Sequence, residues 1–250
     1  MNCDLDSAAA ALRDRARACA LDVVTPHASH IDVTGMVPDA VREAARQTLP
    51  ATAMADLVAW AAVVEELAAA SAAVALAAAG AALGAGAAAP AGQWPGLRGA
   101  DIDGARAALA GDPRWSTAVT AALVGLGRAA VEQSRTALRA ARDAGTPNDA
   151  AQTPLADAAT MVDAARLLLW DAARAGRASE SAAAAQGMAR LQALDALAQA
   201  MSAAEQATGA EASRPGAPLE RLSRDAATLA RVCGEAAPAQ RAVAALVLPA

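Results

Sequence analysis

The feature that most constrains this chain is a long stretch of helical periodicity that begins at Asp112-Pro113. An aspartate followed by a proline is a strong helix start, because the aspartate caps free backbone N–H groups and proline suits the first helical position. The pattern predicts a helix that runs to about Asp143. Its apolar or small residues recur every three or four positions, at Trp115, Val119, Ala122, Leu126, Ala130, Ser134 and Leu138.

The rest of the chain carries the same kind of pattern. Alternating Val, Ile and Thr runs between turns are absent, so no segment is typical of a β-strand. We therefore predict an all-α fold in which three N-terminal helices pack on a C-terminal four-helix bundle. The other predicted helices cover residues 5–24, 38–49, 51 to the Gly-rich zone at 80–86, 183–208, 218–232 and 237–248, and one more starts at Pro154 and carries Leu155 to Leu169.

A segment rich in glycine and proline separates two parts of the chain. Residues 84–99 read GAGAAAPAGQWPGLRG, a composition typical of loops and linkers. We expect an N-terminal helical domain over residues 1–83, a linker over residues 84–111 and a C-terminal helical bundle over residues 112–250.

Composition and charge argue against several classes of function. The net charge is −5, the isoelectric point is about 5.1 and no basic patch is present, which argues against nucleic acid as a partner. The three cysteines are widely spaced and form no metal-binding pattern, so we expect no metal and reduced thiols in the cytoplasm.

One stretch is long enough to cross a membrane. Residues 67–97 carry no charge, but most of them are Ala and Gly, which drive membrane insertion weakly. The N-terminus carries acids and arginines in place of an apolar signal segment. We therefore expect a buried helix here and no membrane partner.

The C-terminal third of the chain carries motifs that resemble a known family. QATG at 206–209 is followed by PLERLSRDA at 218–226, CG at 233–234 and QR at 240–241. In this order and register they resemble the final helices of acyl-CoA dehydrogenases, and residues 58–80 resemble the third helix of that family. The resemblance implies the α-domains of the family, which associate through their bundles, so we expect at least a homodimer.

The resemblance also implies that the usual chemistry of the family is lost. Its flavin-contacting β-domain belongs where residues 85–100 stand, and residues 96–112 resemble only the worn last strand and exit of that domain. Pro238 occupies the position of the catalytic glutamate, and a proline takes up no proton. Trp115 occupies the position of the glutamate that some members use instead.

Three residues still match family positions that touch the cofactor of a neighbouring subunit: Arg142, Gln206 and Gly209. Two nearby glycines of the family are replaced by Ala210 and Ala212, whose methyl groups obstruct close approach of the backbone to a flavin. We therefore interpret the three residues as vestigial cofactor-binding positions and expect no cofactor in this chain alone.

Three side chains near the lost base are candidates for a surviving site. Glu235 is a candidate relocated acid, and the plainer alternative is an exposed carboxylate at a helix start. Cys233 replaces a family aromatic beside the acyl pocket. The alternative for Cys233 is an inert buried thiol, since a nucleophile needs a lowered pKa. Trp115 either lines a substrate pocket or fills the core.

The two histidines form a further candidate. His27 and His30 stand three residues apart, with Asp32 close behind, and histidine is the natural general base near neutral pH. We include His27 among the catalytic candidates. The alternative is a plain surface turn, because a pair of histidines at this spacing is a weak signal for a metal.

Two functions of different classes remain open. The first is a flavin-independent biosynthetic enzyme that binds a hydrophobic acyl or polyketide intermediate and directs its cyclisation, elimination or isomerisation. The second is a non-catalytic subunit that pairs with a full-length acyl-CoA dehydrogenase. Arg142, Gln206 and Gly209 would then complete the cofactor site of the partner.

Overall fold

A computed structural model of the chain describes residues 5–50, 55–83, 97, 101–175 and 180–248. These residues form α-helices joined by short π-helical and 3₁₀ turns, with no β-strand among them. The predicted all-α fold class is therefore confirmed. None of the helices in these ranges is long and apolar enough to cross a membrane.

The helices follow the sequence pattern closely in the C-terminal half and less closely in the N-terminal half. In chain order they are α1 (Ser7–Cys19), α2 (Ala28–Thr34), α3 (Asp39–Thr48), α4 (Leu57–Ala70), α5 (Ala72–Ala82), α6 (Ile102–Gly111), α7 (Pro113–Asp143), α8 (Gln152–Arg174), α9 (Glu180–Thr208), α10 (Pro218–Cys233) and α11 (Ala237–Val247).

The start and end of α7 show why the local signals are reliable. The Asp112 carboxylate accepts a hydrogen bond of 2.8 Å from the Arg114 backbone N–H, and Pro113 takes the first helical position. After the helix ends, Gly145 adopts a φ of +73°, a left-handed conformation that favours glycine. The predicted bounds of α7 are confirmed.

The C-terminal bundle is formed by α7, α8, α9 and α10. Helix α9 packs along both α7 and α8, while α10 packs against α7 and α9, and α11 lies against α9. Alanine is the commonest buried residue in these helices, with larger groups such as Leu123, Leu126 and Leu169 between the alanines. Small side chains let helix axes approach closely, so the bundle is held by many short contacts.

The predicted helix from residue 51 to the Gly-rich zone is wrong in one respect, because it is two helices. Ser71 separates α4 from α5 and has an extended backbone with φ −160° and ψ 114°. Its side-chain oxygen accepts a hydrogen bond from the Val74 backbone N–H, which caps the start of α5. The break lets α4 pack on α1, α7 and α8, while α5 packs on α3 and α7.

The described part of residues 101–112, which resemble the worn last strand and exit of the β-domain, is a helix and contains no strand. Asp101 caps a helix by accepting a 2.9 Å hydrogen bond from the Gly104 backbone N–H, and α6 follows. This helix packs against α7 and α10. The part of the predicted linker before residue 101 lies outside the described residues except for residue 97, so the proposed division into domains stays a prediction.

Helices α4 and α7 lie in close contact at Gly125. A Cβ atom at this position would lie 2.5 Å from the carbonyl oxygen of Glu65 and 2.8 Å from the Cβ atom of Ala68. Both neighbours belong to the core of α4 and have no free rotation that would relieve the contact. The absence of a side chain at Gly125 therefore sets the distance between the two helices.

We predict that Gly125→Ala destabilises the protein by about 1–3 kcal/mol, because the added methyl group forces α4 away from α7. Urea unfolding followed by circular dichroism measures the change. Gly111→Ala is the matched control, since a Cβ atom at Gly111 would have no neighbour within 4 Å. Equal stability of the two variants would contradict the close approach.

Candidate functional site

The end of α10 and the turn after it contain the first candidate residues. Gly234 ends the helix with a φ of +69°, and its N–H donates to the carbonyls of Ala230 and Arg231. From α6, the Arg106 guanidinium donates a hydrogen bond of 2.7 Å to the Arg231 carbonyl. A Cβ atom at Gly234 would lie 3.2 Å from Arg106 Nε, so the arginine lies directly over the turn.

Glu235 lies on an open cleft beside this turn. The cleft has a volume of about 680 Å³ and is lined by Arg106, Ala230, Arg231, Gly234 and Glu235. The Glu235 side chain is exposed, which agrees with its alternative interpretation as a surface carboxylate at a helix start. Two arginines and one glutamate line the cleft, and neither Cys233 nor Trp115 lines it.

Cys233, the last residue of α10, lies mostly inside the protein. Burial raises the pKa of its thiol to about 11, and the nearby charge of Arg190 offsets this only in part. At neutral pH the group is therefore a protonated thiol. A nucleophilic cysteine needs the opposite shift of its pKa.

Trp115 is part of the core in the described structure. Its side chain is 2% exposed, and the indole N–H donates a hydrogen bond of 3.0 Å to the Ala105 carbonyl of α6. Helix α6 therefore covers the tryptophan. Its role as a pocket wall stays a prediction.

His27 lies in a different part of the protein from the cleft. It ends the 3₁₀ turn Thr25–His27, and its Nδ1 lies 2.9 Å from the Val23 carbonyl oxygen. This contact is typical of a histidine that caps a turn. In the described residues it is not brought to the cleft beside Glu235.

Arg142, Gln206 and Gly209 lie at one end of the bundle. Arg142 is in the last turn of α7, and Gln206 is in the last turn of α9. The Asn148 side chain donates a hydrogen bond of 3.1 Å to the Gln206 carbonyl, which joins the turn between α7 and α8 to the end of α9. Arg142, Gln206 and Gly209 are all exposed, so their side chains or backbone are available at this end.

Sequence reasoning missed a buried charge cluster on α4. Glu65 and Glu66 are 3% and 5% exposed, and they are held by arginines from three other helices. Arg128 of α7 lies 2.8 Å from Glu65 and 3.0 Å from Glu66. Arg166 of α8 donates a 2.9 Å bond to Glu65, and Arg17 of α1 donates a 2.8 Å bond to Glu66. We call these five residues the α4 charge cluster.

The glutamates and arginines of the cluster stabilise each other in their charged forms. Burial alone would raise the pKa of Glu66, but hydrogen bonds and positive charge from Arg17 and Arg128 outweigh it and lower that pKa. The pKa of Arg128 is raised by the two glutamates, although burial acts against this. A signal for the cluster was present in the sequence, since two adjacent acids interrupt the apolar run LVAWAAVVEELAAA.

Comparison with known proteins shows which family this chain belongs to. The acyl-CoA dehydrogenase C-terminal domain family matches residues 104–245, which is more than half of the chain. The chain belongs to the acyl-CoA dehydrogenase family. A search of curated proteins gives no match.

Solved structures of the acyl-CoA dehydrogenase fold resemble this chain throughout. A structure of glutaryl-coenzyme A dehydrogenase with glutaryl-CoA has a TM-score of 0.75 and 18% identity, covering 98% of this chain and 96% of that one. A nitrososynthase from Micromonospora carbonacea var. africana has a TM-score of 0.72 and 16% identity, covering 100% and 99%. At these identities the likeness shows the fold alone.

A third similar structure comes from work on an electron transferring flavoprotein of Acidaminococcus fermentans. It has a TM-score of 0.77 and 14% identity and covers 100% of both chains. Together with the family match, these structures show that this acyl-CoA dehydrogenase relative keeps the helical frame. Within that frame Pro238 stands in the first turn of α11.

We predict that Cys233 reacts slowly with alkylating reagents in the folded protein. With a pKa of about 11, roughly one thiol in a thousand is ionised at pH 8. Peptide mapping by mass spectrometry after timed treatment with iodoacetamide measures the rate, and the urea-unfolded chain is the control. Faster labelling of Cys233 in the folded chain than in urea would restore it as a candidate nucleophile.

We predict that Glu66→Gln lowers the free energy of unfolding by about 3 kcal/mol at pH 7, because it leaves half-buried Arg128 with less negative charge to balance its own. The pKa of Glu66 is depressed in the folded protein, so its contribution is present above its ordinary pKa of 4.5 and is lost as pH falls below that value. The wild-type stability should therefore fall more steeply with acidification than that of the variant.

Urea unfolding between pH 3 and pH 7 checks both parts of this prediction. Glu132→Gln is the matched control, because Glu132 pairs with Arg135 on the surface and both side chains are 52% exposed. A loss of stability in Glu132→Gln as large as that in Glu66→Gln would contradict the special role of the α4 charge cluster.

Proposed function

We propose that this chain is a non-catalytic subunit that pairs with a full-length acyl-CoA dehydrogenase in the cytoplasm and completes the flavin site of that partner. One observation carries the proposal. Arg142, Gln206 and Gly209, which match cofactor-contacting positions of the family, are all exposed at one end of the bundle. Exposed groups of this kind are suited to a cofactor held by another chain.

The surroundings of the lost base favour a subunit over an enzyme. Pro238 has no proton to give or take, and the Cys233 thiol is protonated because its pKa is about 11. Trp115 is buried beneath α6. The described residues therefore bring no pair of acid and base together where the family performs its chemistry.

The open cleft beside Glu235 supports a second candidate function. In this alternative the chain is a flavin-independent enzyme that binds a hydrophobic acyl or polyketide intermediate and directs its cyclisation, elimination or isomerisation. Glu235 would act as the acid, without direct help from the other candidates Cys233, Trp115 and His27, none of which lines this cleft. The exposure of Glu235 on a cleft of about 680 Å³ is the observation that favours it.

We predict that this chain co-purifies with a flavin-containing, full-length acyl-CoA dehydrogenase of the same organism when the two are expressed together. The complex should show bound flavin by absorbance near 450 nm and dehydrogenase activity with an acyl-CoA. The double variant Arg142→Ala, Gln206→Ala should keep the complex but reduce retained flavin about tenfold after dialysis, because it removes cofactor contacts from this subunit.

Arg46→Ala is the control for charge, since Arg46 is an exposed arginine on α3 and lies outside the proposed interface. The chain expressed alone should form at least a homodimer and retain no flavin. Turnover of an acyl substrate by the chain alone, abolished by Glu235→Gln, would favour the enzyme. A full-length partner that keeps its flavin and activity without this chain would overturn the subunit proposal.

A further inference from the structure

One side-chain hydrogen bond joins the turn after α7 to the last turn of α9. The amide nitrogen of Asn148 donates a hydrogen bond of 3.1 Å to the Gln206 backbone carbonyl, 58 positions further along the chain. A carbonyl oxygen only accepts, so the donor is the NH₂ group of Asn148 and the orientation of its amide is determined. The bond lies between the helix end that carries Arg142 and the helix end that carries Gln206 and Gly209.

The turn that presents Asn148 has a well-defined shape. The Gly145 N–H donates 2.9 Å to the Arg142 carbonyl, and the Thr146 N–H donates 2.9 Å to the Ala141 carbonyl. The Thr146 hydroxyl donates a further bond of 3.2 Å to the same Ala141 carbonyl. The turn is therefore fastened to the end of α7, and Asn148 extends from a base that also carries Arg142.

The end of α9 presents groups that another molecule can reach. The Gln206 carbonyl is one of the last four of the helix, which α-helices in general leave for outside donors. Gly209 follows the helix with a φ of +63°, and a Cβ atom there would have no neighbour within 4 Å. The backbone at Gly209 is therefore open to close approach, as contact with a flavin held by another chain requires.

Helix packing alone holds this end of α9 with little directional preference. In its last two turns, the buried side chains are Ala203 and Ala204. Apolar contact is non-directional, and methyl groups offer little resistance to a small shift along the helix axis. A hydrogen bond has a preferred length and angle. The bond from Asn148 therefore fixes the position of Gln206 along the axis, relative to the turn that follows Arg142.

We propose that Asn148 is a positioning residue for the cofactor site that this chain completes on its partner, an inference that rests on the function proposed above. Asn148 does not touch the cofactor. It holds Gln206 and Gly209 at a fixed place relative to Arg142, whose guanidinium suits the phosphate of a flavin nucleotide. A site that is ordered before binding loses less entropy when the cofactor arrives, so it holds the cofactor longer.

The first part of the test uses the chain alone and compares two variants of the same turn. Asn148→Leu removes the donor at similar side-chain size. Thr146→Val is the matched control, because it removes the hydrogen bond to Ala141 within the turn and leaves α9 untouched. Hydrogen exchange followed by mass spectrometry should show amides of residues 206–213 exchanging about fivefold faster in Asn148→Leu, and no change there in Thr146→Val.

The second part uses the complex with the full-length dehydrogenase. Flavin should dissociate about tenfold faster from the Asn148→Leu complex than from the wild type, as expected for the loss of one ordering hydrogen bond. Asn148→His, whose Nδ1–H donates from about the same place on the side chain, should return the rate to within about twofold of the wild type. The KM for the acyl-CoA should not change, whereas general loosening of the fold would alter both quantities.

The possible failures separate the two proposals. Equal flavin loss in Asn148→Leu and Thr146→Val, or no rescue by Asn148→His, would overturn the positioning role. The same holds if Asn148→Leu keeps its flavin while the double variant Arg142→Ala, Gln206→Ala loses it, and in that case the subunit function stands. A wild-type complex whose flavin is indifferent to the double variant would overturn the subunit function, and the role of Asn148 with it.

Discussion

The rest of the structure depends on the pairing of Glu65 and Glu66 with arginines from three other helices. Two carboxylates that are 3% and 5% exposed are costly to bury unless each is paired and hydrogen-bonded. Here the pairing requires α1, α7 and α8 to meet at the same point on α4. The cluster therefore fixes the position of the N-terminal helices on the C-terminal bundle more specifically than contacts between alanines can.

The helices of the bundle were predictable from the sequence because their signals are local. Asp112-Pro113 starts α7 through a cap within two residues of itself, and the glycine after the helix ends it in the same way. The break at Ser71 and the existence of α6 were not predicted. Both depend on which surfaces the neighbouring helices cover, and that information is not contained in a short window of sequence.

The candidate site was predictable only in part, for a similar reason. The sequence places Cys233 and Glu235 close to Pro238, but the pKa of a thiol depends on how deeply the fold buries it. The α4 charge cluster escaped prediction because its ion pairs join residues 49 to 101 positions apart. Two acids in an apolar helix indicate that partners exist, and only the tertiary structure says which arginines they are.

The packing of α5 and α6 against α7 has a consequence for how a chain of this kind can arise in evolution. Both helices pack against α7, so the two ends of the segment between them are held whatever that segment contains. The entropy cost of closing a connection grows slowly, by about 0.6 kcal/mol for each doubling of its length. A whole domain can therefore be gained or removed at this point during evolution while the helical frame keeps nearly all of its stability.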